Sequence, residues 1–148
     1  MKKLKHVGSY GLVLKDNKIL LIKKKGGPYD GKLDLPGGTI EYGETPKVAL
    51  ARELKEEVGI TPMDYELFDG NSVNVSWTHN EEFEDITHIG FFYLIKSFEG
   101  DIKESNAIDS VNDDSMGAQF YDIDSLTSDM LSSIASLEIS KIKNSVDI

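Results

Sequence analysis

The sequence predicts a single mixed α/β domain over residues 1–148, and three observations carry that reading. Short β-rich apolar runs bounded by turn residues recur from GSYGLVL (Gly8–Leu14) to AQFYD (Ala118–Asp122). Between them, Thr45-Pro46 opens and Gly59 closes a stretch of helical periodicity. A second helical repeat, Leu126, Met130, Ile134, Leu137 and Lys141, lies towards the end of the chain. Sheets and amphipathic helices in one chain bury their apolar faces against each other in layers.

Composition narrows the chemistry. A chain of 148 residues can bury a sizeable core without covalent staples. The absence of cysteine excludes disulfides, thiolate metal sites and cysteine nucleophiles. Histidine is limited to His6, His79 and His88, which weighs against a zinc site built from several imidazoles. A formal net charge of −10 repels nucleic-acid backbones and anionic membranes, so duplex nucleic acid is not an expected partner. An anionic substrate would need cations to approach such a surface. The lysine-rich opening MKKLKHVGSYGLVLK lacks the apolar core of roughly 7–15 residues that a secretion signal needs. No stretch nears the roughly 20 apolar residues of a membrane span, so a cytoplasmic location is expected.

Taken in order, Gly8–Leu14 and Ile19–Ile22 flank Asp16-Asn17 and read as a β-hairpin. Lys23, Lys24 and Lys25 then precede the loop signal Gly26-Gly27-Pro28. These lysines read either as a solvated strand end or as a contact for a substrate phosphate, with Lys24 the candidate. KLDL (Lys32–Leu35) reads as a short strand entering a Pro36-Gly37-Gly38 turn, with Ile40–Tyr42 extended. Glu66–Phe68 and Val73–Trp77 read as strands around an Asp69-Gly70-Asn71 turn. His79–Asp85 reads as an acidic loop, and Ile86–Phe98 is the most strand-like run in the chain. Gly100–Ser115 reads as a long polar loop, and the C-terminal helix is expected from about Ser125.

The helix in the middle carries the chemistry. Thr45 is a favourable N-cap, Pro46 fits the first helical position, and Gly59 suits the left-handed residue after the last turn. On the helical wheel Leu50, Ala51, Leu54 and Val58 form an apolar stripe. Glu53, Glu56 and Glu57 fall at i, i+3 and i+4 and centre about 100° from it. Such a carboxylate cluster suits hard divalent cations, which take oxygen ligands.

Written as a pattern, the stretch is Gly38, five residues, Glu44, seven residues, then Arg52-Glu53-Leu54-Lys55-Glu56-Glu57-Val58-Gly59-Ile60. This resembles the Nudix box of the Nudix (MutT-like) hydrolases, G-x5-E-x7-R-E-U-x-E-E-x-G-U with U aliphatic. All nine specified positions are met within residues 38–60, too many for a chance match. The resemblance extends more loosely from about Tyr10 to Leu126, through the hairpin, the LPGG entry and the segment DDSMGAQFYDIDSL.

It implies the Nudix fold, a mixed β-sheet sandwiched between α-helices. It implies metal-dependent hydrolysis of a diphosphate linkage by water attack on phosphorus. The substrate class is a nucleoside diphosphate derivative: a nucleoside triphosphate, ADP-ribose, a nucleotide sugar or a dinucleoside polyphosphate. Glu53, Glu56 and Glu57 are then metal ligands, joined by the Gly38 carbonyl, with Mg²⁺ as the cofactor and Mn²⁺ able to substitute. Arg52 and Glu44 complete the catalytic set, as an ion pair fixing the loop or as direct participants.

A base is open among Glu99, Glu104, Asp113 and Asp114, with Glu82 and Glu84 as outsiders. Trp77, Phe83, Phe92, Tyr93 and Tyr121 are candidate stacking surfaces for a base, with core packing as the alternative. Lys24, Trp77, Tyr93, Asp113 and Asp114 make up the substrate-contact set. The expected partner is a small-molecule nucleotide, and a homodimer is compatible with the chain. A nucleotide-binding sensor without turnover is the alternative function. A Nudix-fold isomerase would call for a cysteine that this chain lacks.

Overall fold

The apolar runs of the N-terminal hairpin are continuous because its strands are covered on both faces. β1 (Lys2–Lys15) and β2 (Lys18–Lys24) pair antiparallel across Asp16-Asn17, with Lys15 opposite Lys18. Leu12, Ile19 and Leu21 point into one apolar cluster, and Val13, Leu20 and Ile22 into the other. The computed structural model describes residues 1–103 and 115–145, so Glu104, Asp109, Asp113 and Asp114 of the expected polar loop lie outside the described residues.

Five strands follow the path β3 (Leu33–Asp34), β2, β1, β6 (Glu82–Glu99), β5 (Thr61–His79). Two more sit off this path: β4 (Gly37–Thr39) pairs with β1, and β7 (Ser115–Asp122) pairs with β2. β1 runs parallel to β6 from Lys2 opposite Glu84 to Val13 opposite Ile95, while the other pairings are antiparallel. The sheet is therefore mixed, with a helix on each side.

Helix α1 (Pro46–Val58) begins and ends as its caps dictate. The Thr45 hydroxyl accepts from Val48 N–H, and Gly59 takes φ 83° while its N–H bonds back to Leu54 and Lys55 carbonyls. Its buried residues are Ala49, Leu50, Leu54 and Val58, so Ala49 replaces Ala51 in the expected stripe. That rotation matters for the site. The buried arc now brackets Glu53 and Glu57 and leaves Glu56 outside it. Burying Leu50, Leu54 and Val58 contributes about 1.5–3 kcal/mol apiece.

Five local expectations are corrected. Gly37 and Gly38 form strand β4, not a turn, with Tyr10, Ser9 and Gly8 opposite Gly37, Gly38 and Thr39; Ile40–Tyr42 is not strand. A Cβ on Gly37 would sit 2.2 Å from the Ser9 carbonyl oxygen, and φ is 139°, so glycine here permits close strand approach. The turn expected at Asp69-Gly70-Asn71 is a register shift between Leu67 and Asp69 within one continuous β5. Polar turn residues there mark a bulge instead. The acidic loop at His79–Asp85 shrinks to a two-residue turn, with Asn80 and Glu81 at φ 50° and 64° as tight hairpins require.

The last correction concerns the C-terminal helix. α2 (Ser133–Lys143) starts after two 3-10 turns, Ile123–Ser125 and Ser128–Met130. Asp122 and Ser132 cap the first turn and the helix through their side chains, because short polar groups compete for backbone N–H donors. Leu126 and Leu131 are buried without being helical. Within α2 the sheet-facing residues are Ile134, Ala135, Glu138, Ile139 and Ile142, with Leu137 off to the side.

Candidate active site

The carboxylate helix stands against the glycine strand, and an arginine joins the two. Arg52 grips Glu44 through two parallel bonds, Nε to Oε2 at 2.7 Å and Nη2 to Oε1 at 2.8 Å. Nη1 reaches Glu53 Oε1 at 2.9 Å and Glu56 Oε2 at 3.4 Å. Nη2 also donates to the Thr39 carbonyl at 2.9 Å. One planar guanidinium thus ties the loop before the helix, the end of β4 and two helix carboxylates together, a task for which lysine lacks the donors. Glu41 N–H also donates to Glu44 Oε1 at 2.8 Å.

Glu57 is oriented from the other side. Gly37 N–H donates to its Oε1 at 2.9 Å. At Gly38 an added Cβ would lie 2.7 Å from the Glu53 carboxyl carbon, so the absent side chain is what lets Glu53 lie against β4. The Ser9 hydroxyl donates to the Pro46 carbonyl at 2.7 Å and pins the start of α1 to β1. Lys103 Nζ donates to the Glu56 carbonyl at 3.0 Å.

The electrostatics follow from these contacts. The Arg52 bonds, then the Glu41 N–H, hold the Glu44 carboxyl down at about 2. Arg52 in turn is raised, first by its bonds to Glu44. Glu53 moves the other way: burial raises its carboxyl more than Arg52 and Lys24 lower it. Lys24, half-buried at the end of β2, adds positive charge that acts on Glu53, His6, Asp34 and His88.

Among the described residues no three carboxylate or imidazole groups converge on one point. Glu53 and Glu56 each turn one oxygen to Arg52, and Glu57 turns one to Gly37 N–H. Their donor chemistry nevertheless fits a hard divalent cation, since the second oxygens of Glu53 and Glu56 stand outside the Arg52 contacts and Gly38 leaves backbone room beside Glu53.

Other sequence candidates sit elsewhere. Trp77 lies opposite Glu84, seven residues along the sheet from the level of Ser9 and Gly38, or about 23 Å. Its indole N–H donates to Glu84 at 2.9 Å, and its ring stacks on His79. Glu82 and Glu84 share that distant end. Tyr93 is 4% exposed in the cluster beneath α1, edge-on to Tyr65, and Phe92 is fully buried. Neither offers an open ring face. Glu99 is exposed at the end of β6, opposite Thr61. Asp113 and Asp114 lie outside the described residues.

Sequence reasoning passed over a buried polar network behind the glycine strand. Asp34, 1% exposed, accepts from Ser132 Oγ at 2.7 Å and from Leu35 N–H at 2.9 Å. His88 bonds Tyr10 OH through Nε2 at 2.5 Å and Tyr29 OH through Nδ1 at 3.0 Å. Burial, then the charges of His6 and Lys24, push His88 down to about 3, so the ring is neutral. His6 stacks on His88 and bonds the Thr39 hydroxyl at 2.9 Å. The one signal available was Asp34 itself, a carboxylate between Leu33 and Leu35 in a run too short to alternate cleanly.

Carboxylates on one helix are locked by an arginine against a glycine-built strand, and oxygen donors of this type are the ones that hard divalent cations take. The NUDIX domain family matches residues 4–136, and the chain belongs to that family. It is 35% identical over 117 residues to the ADP-ribose pyrophosphatase of Methanocaldococcus jannaschii, an alignment covering 78% of this chain and 61% of that protein. With the 8-oxo-dGTP diphosphatase of Escherichia coli it shares 37% identity over 103 residues, covering 68% of this chain and 72% of the relative. The chain thus spans less than two thirds of the archaeal relative's length. Among solved structures, the MutT NUDIX hydrolase of Burkholderia pseudomallei matches with a TM-score of 0.75 at 23% identity, over 93% of this chain and 98% of that one. The likeness to that structure is one of fold. Within the described residues, no helix is long and apolar enough to cross a membrane.

Proposed function

We propose that this chain is a Mg²⁺-dependent pyrophosphohydrolase that cleaves the diphosphate linkage of a nucleoside diphosphate derivative. The observation that carries the reading is the Arg52 lock: a bidentate grip on Glu44 with branches to Glu53, Glu56 and the Thr39 carbonyl. A helix whose glutamates merely faced solvent has no use for that wiring. Glu53, Glu56 and Glu57, with the Gly38 backbone, would hold the divalent cation. When bound, such a cation neutralises diphosphate oxygens and makes phosphorus and water more reactive.

The chain's own residues do the positioning. Arg52 fixes the approach of the loop to the helix, and Gly37 N–H sets the orientation of Glu57. Lys24 supplies positive charge beside Glu53 for an arriving phosphate. In-line placement and charge stabilisation supply most of the catalysis in phosphoryl chemistry. Proton removal from the attacking water falls to a carboxylate of this acidic face. The relatives' substrates, ADP-ribose and 8-oxo-dGTP, name two ends of the panel to test.

The test incubates the folded protein with Mg²⁺ and nucleoside triphosphates, 8-oxo-dGTP, ADP-ribose, nucleotide sugars and dinucleoside polyphosphates. Products are read by phosphorus NMR, and mass spectrometry in heavy-oxygen water identifies the phosphorus attacked. Cleavage of at least one compound, dependent on Mg²⁺, is expected. Tight binding with no product across the panel refutes the hydrolase reading in favour of a sensor.

A further inference from the structure

Away from the carboxylate site, α2 carries an acidic side chain into the interior. Glu138 is 0% exposed, between the apolar positions Ile134, Ala135, Ile139 and Ile142 that face the sheet. Neither Oε1 nor Oε2 has a donor in full hydrogen-bonding geometry, although the Asn71 amide stands near enough to favour the charged form. Facing it from β5 are Asp69, beside the register shift after Leu67, and Asn71. Lys141, one turn along α2, places Nζ 2.7 Å from Asp69 Oδ2, and Asn71 Nδ2 reaches the same oxygen at 3.5 Å. Among the described residues, those three side chains are the charged and polar groups turned towards Glu138.

Two ionised carboxylates are both pure acceptors, so in contact they repel. A single proton converts the repulsion into a hydrogen bond. Lys141 decides where that proton resides. It pairs with Asp69 and keeps that group ionised, which leaves the proton on Glu138. We propose that Glu138 is a neutral carboxylic acid that donates its proton to Asp69, an acid latch that holds α2 against β5 and loosens as pH rises.

The direction of titration agrees. Burial, followed by the hydrogen bond and charge of Asp69, pushes the Glu138 carboxyl up to about 8, with the charge of Lys141 and a bond from Asn71 opposing. Burial raises Asp69 too, but its bonds from Lys141 and Glu138 outweigh that and keep it low. Because the folded value exceeds the unfolded value of 4.5, the native state holds the extra proton between the two. The stabilisation is full below the unfolded value and is lost as pH rises through about 8. The latch also reaches towards the site. The same helix is capped by Ser132, whose hydroxyl bonds Asp34 on the strand that leads into Gly37 and Gly38.

The experiment follows thermal unfolding of the full chain from pH 6 to pH 9, alongside Glu138→Gln. The amide of the variant still donates to Asp69 but cannot ionise. Wild-type Tm should fall by about 5 °C more than that of the variant over this range. Infrared spectra of wild type should contain a protonated-carboxyl band that titrates away near pH 8 and is absent from the variant. Parallel melting curves, or a band unchanged by the substitution, overturn the proposal. If Glu138→Gln does not fold, Asp69→Asn takes its place and should move the band's midpoint downward; an unmoved midpoint overturns the latch. Recovery of wild-type Tm at pH 9 by added Mg²⁺ or Ca²⁺, absent in Glu138→Gln, also overturns it, because it assigns the pair to a cation instead of a proton.

Discussion

Adding one methyl group at Gly38 separates the site from the fold. A Cβ there meets the Glu53 carboxyl carbon at 2.7 Å and its oxygens at 2.7 and 2.9 Å. Ordinary contact begins near 3.4 Å, so the carboxylate must shift by about 0.7 Å. Gly38 does not use positive φ, and the obstacle is the tip of a flexible side chain. Gly38→Ala should therefore cost about 0.5–1.5 kcal/mol, the scale of an off-rotamer side chain, and lower Tm by only a few degrees.

Its effect on turnover should be far larger, on the order of 10²-fold, because misplacing a site group by about 1 Å costs that much. Gly37→Ala is the contrast. Its Cβ would lie 2.2 Å from the Ser9 carbonyl and 2.7 Å from the Tyr10 Cα, at a φ of 139°. Backbone cannot swing aside as a carboxylate can, so β4 must part from β1 at a cost of about 3 kcal/mol or more. Thermal melts and kcat/KM measured as Mg²⁺ is varied distinguish the two. A fully active Gly38→Ala, or one as unstable as Gly37→Ala, refutes the assignment of Gly38 to the Glu53 contact.

Three further outcomes follow from the same geometry. Glu44 titrates at about 2 when folded against 4.5 unfolded, so its stabilisation is present above 4.5 and fades as pH falls towards 2; Glu44→Gln should flatten that acid limb in pH-dependent melts. Arg52→Lys keeps the charge but loses the fork, and kcat/KM should drop by about 10–100-fold with a weaker response to Mg²⁺; unchanged kinetics contradict the lock. Ser132→Ala removes a helix cap and a donor to buried Asp34, and chemical denaturation should report a loss of about 2 kcal/mol.

How much was legible in the sequence depended on how local the cause was. Thr45, Pro46 and Gly59 act within a turn of themselves, and α1 has the bounds they set. The Glu53, Glu56 and Glu57 spacing is likewise a property of one helix. Gly37 and Gly38 were ambiguous, since the φ freedom that makes turns also lets two backbones approach; only the pairing with Ser9 and Tyr10 decides between them. Gly70 and Asn71 misled for the same reason, marking a bulge where a turn was expected. The role of Thr39, whose carbonyl receives Arg52 and whose hydroxyl meets His6, depends on residues up to 33 positions away. Leu126 shows the reverse case: an apolar position buried by tertiary packing that made a helical repeat look longer than it is.

The central claim is that Glu53, Glu56 and Glu57 serve a divalent cation in diphosphate hydrolysis. Its most direct measurement is Mg²⁺-dependent cleavage by wild type, Glu56→Gln and Glu57→Gln on whichever panel compound wild type hydrolyses, with circular dichroism confirming the fold of each. Wild type should yield product only when Mg²⁺ is present, and both folded variants should lose most activity. Full activity in both variants, or turnover by wild type that ignores Mg²⁺, would contradict the claim.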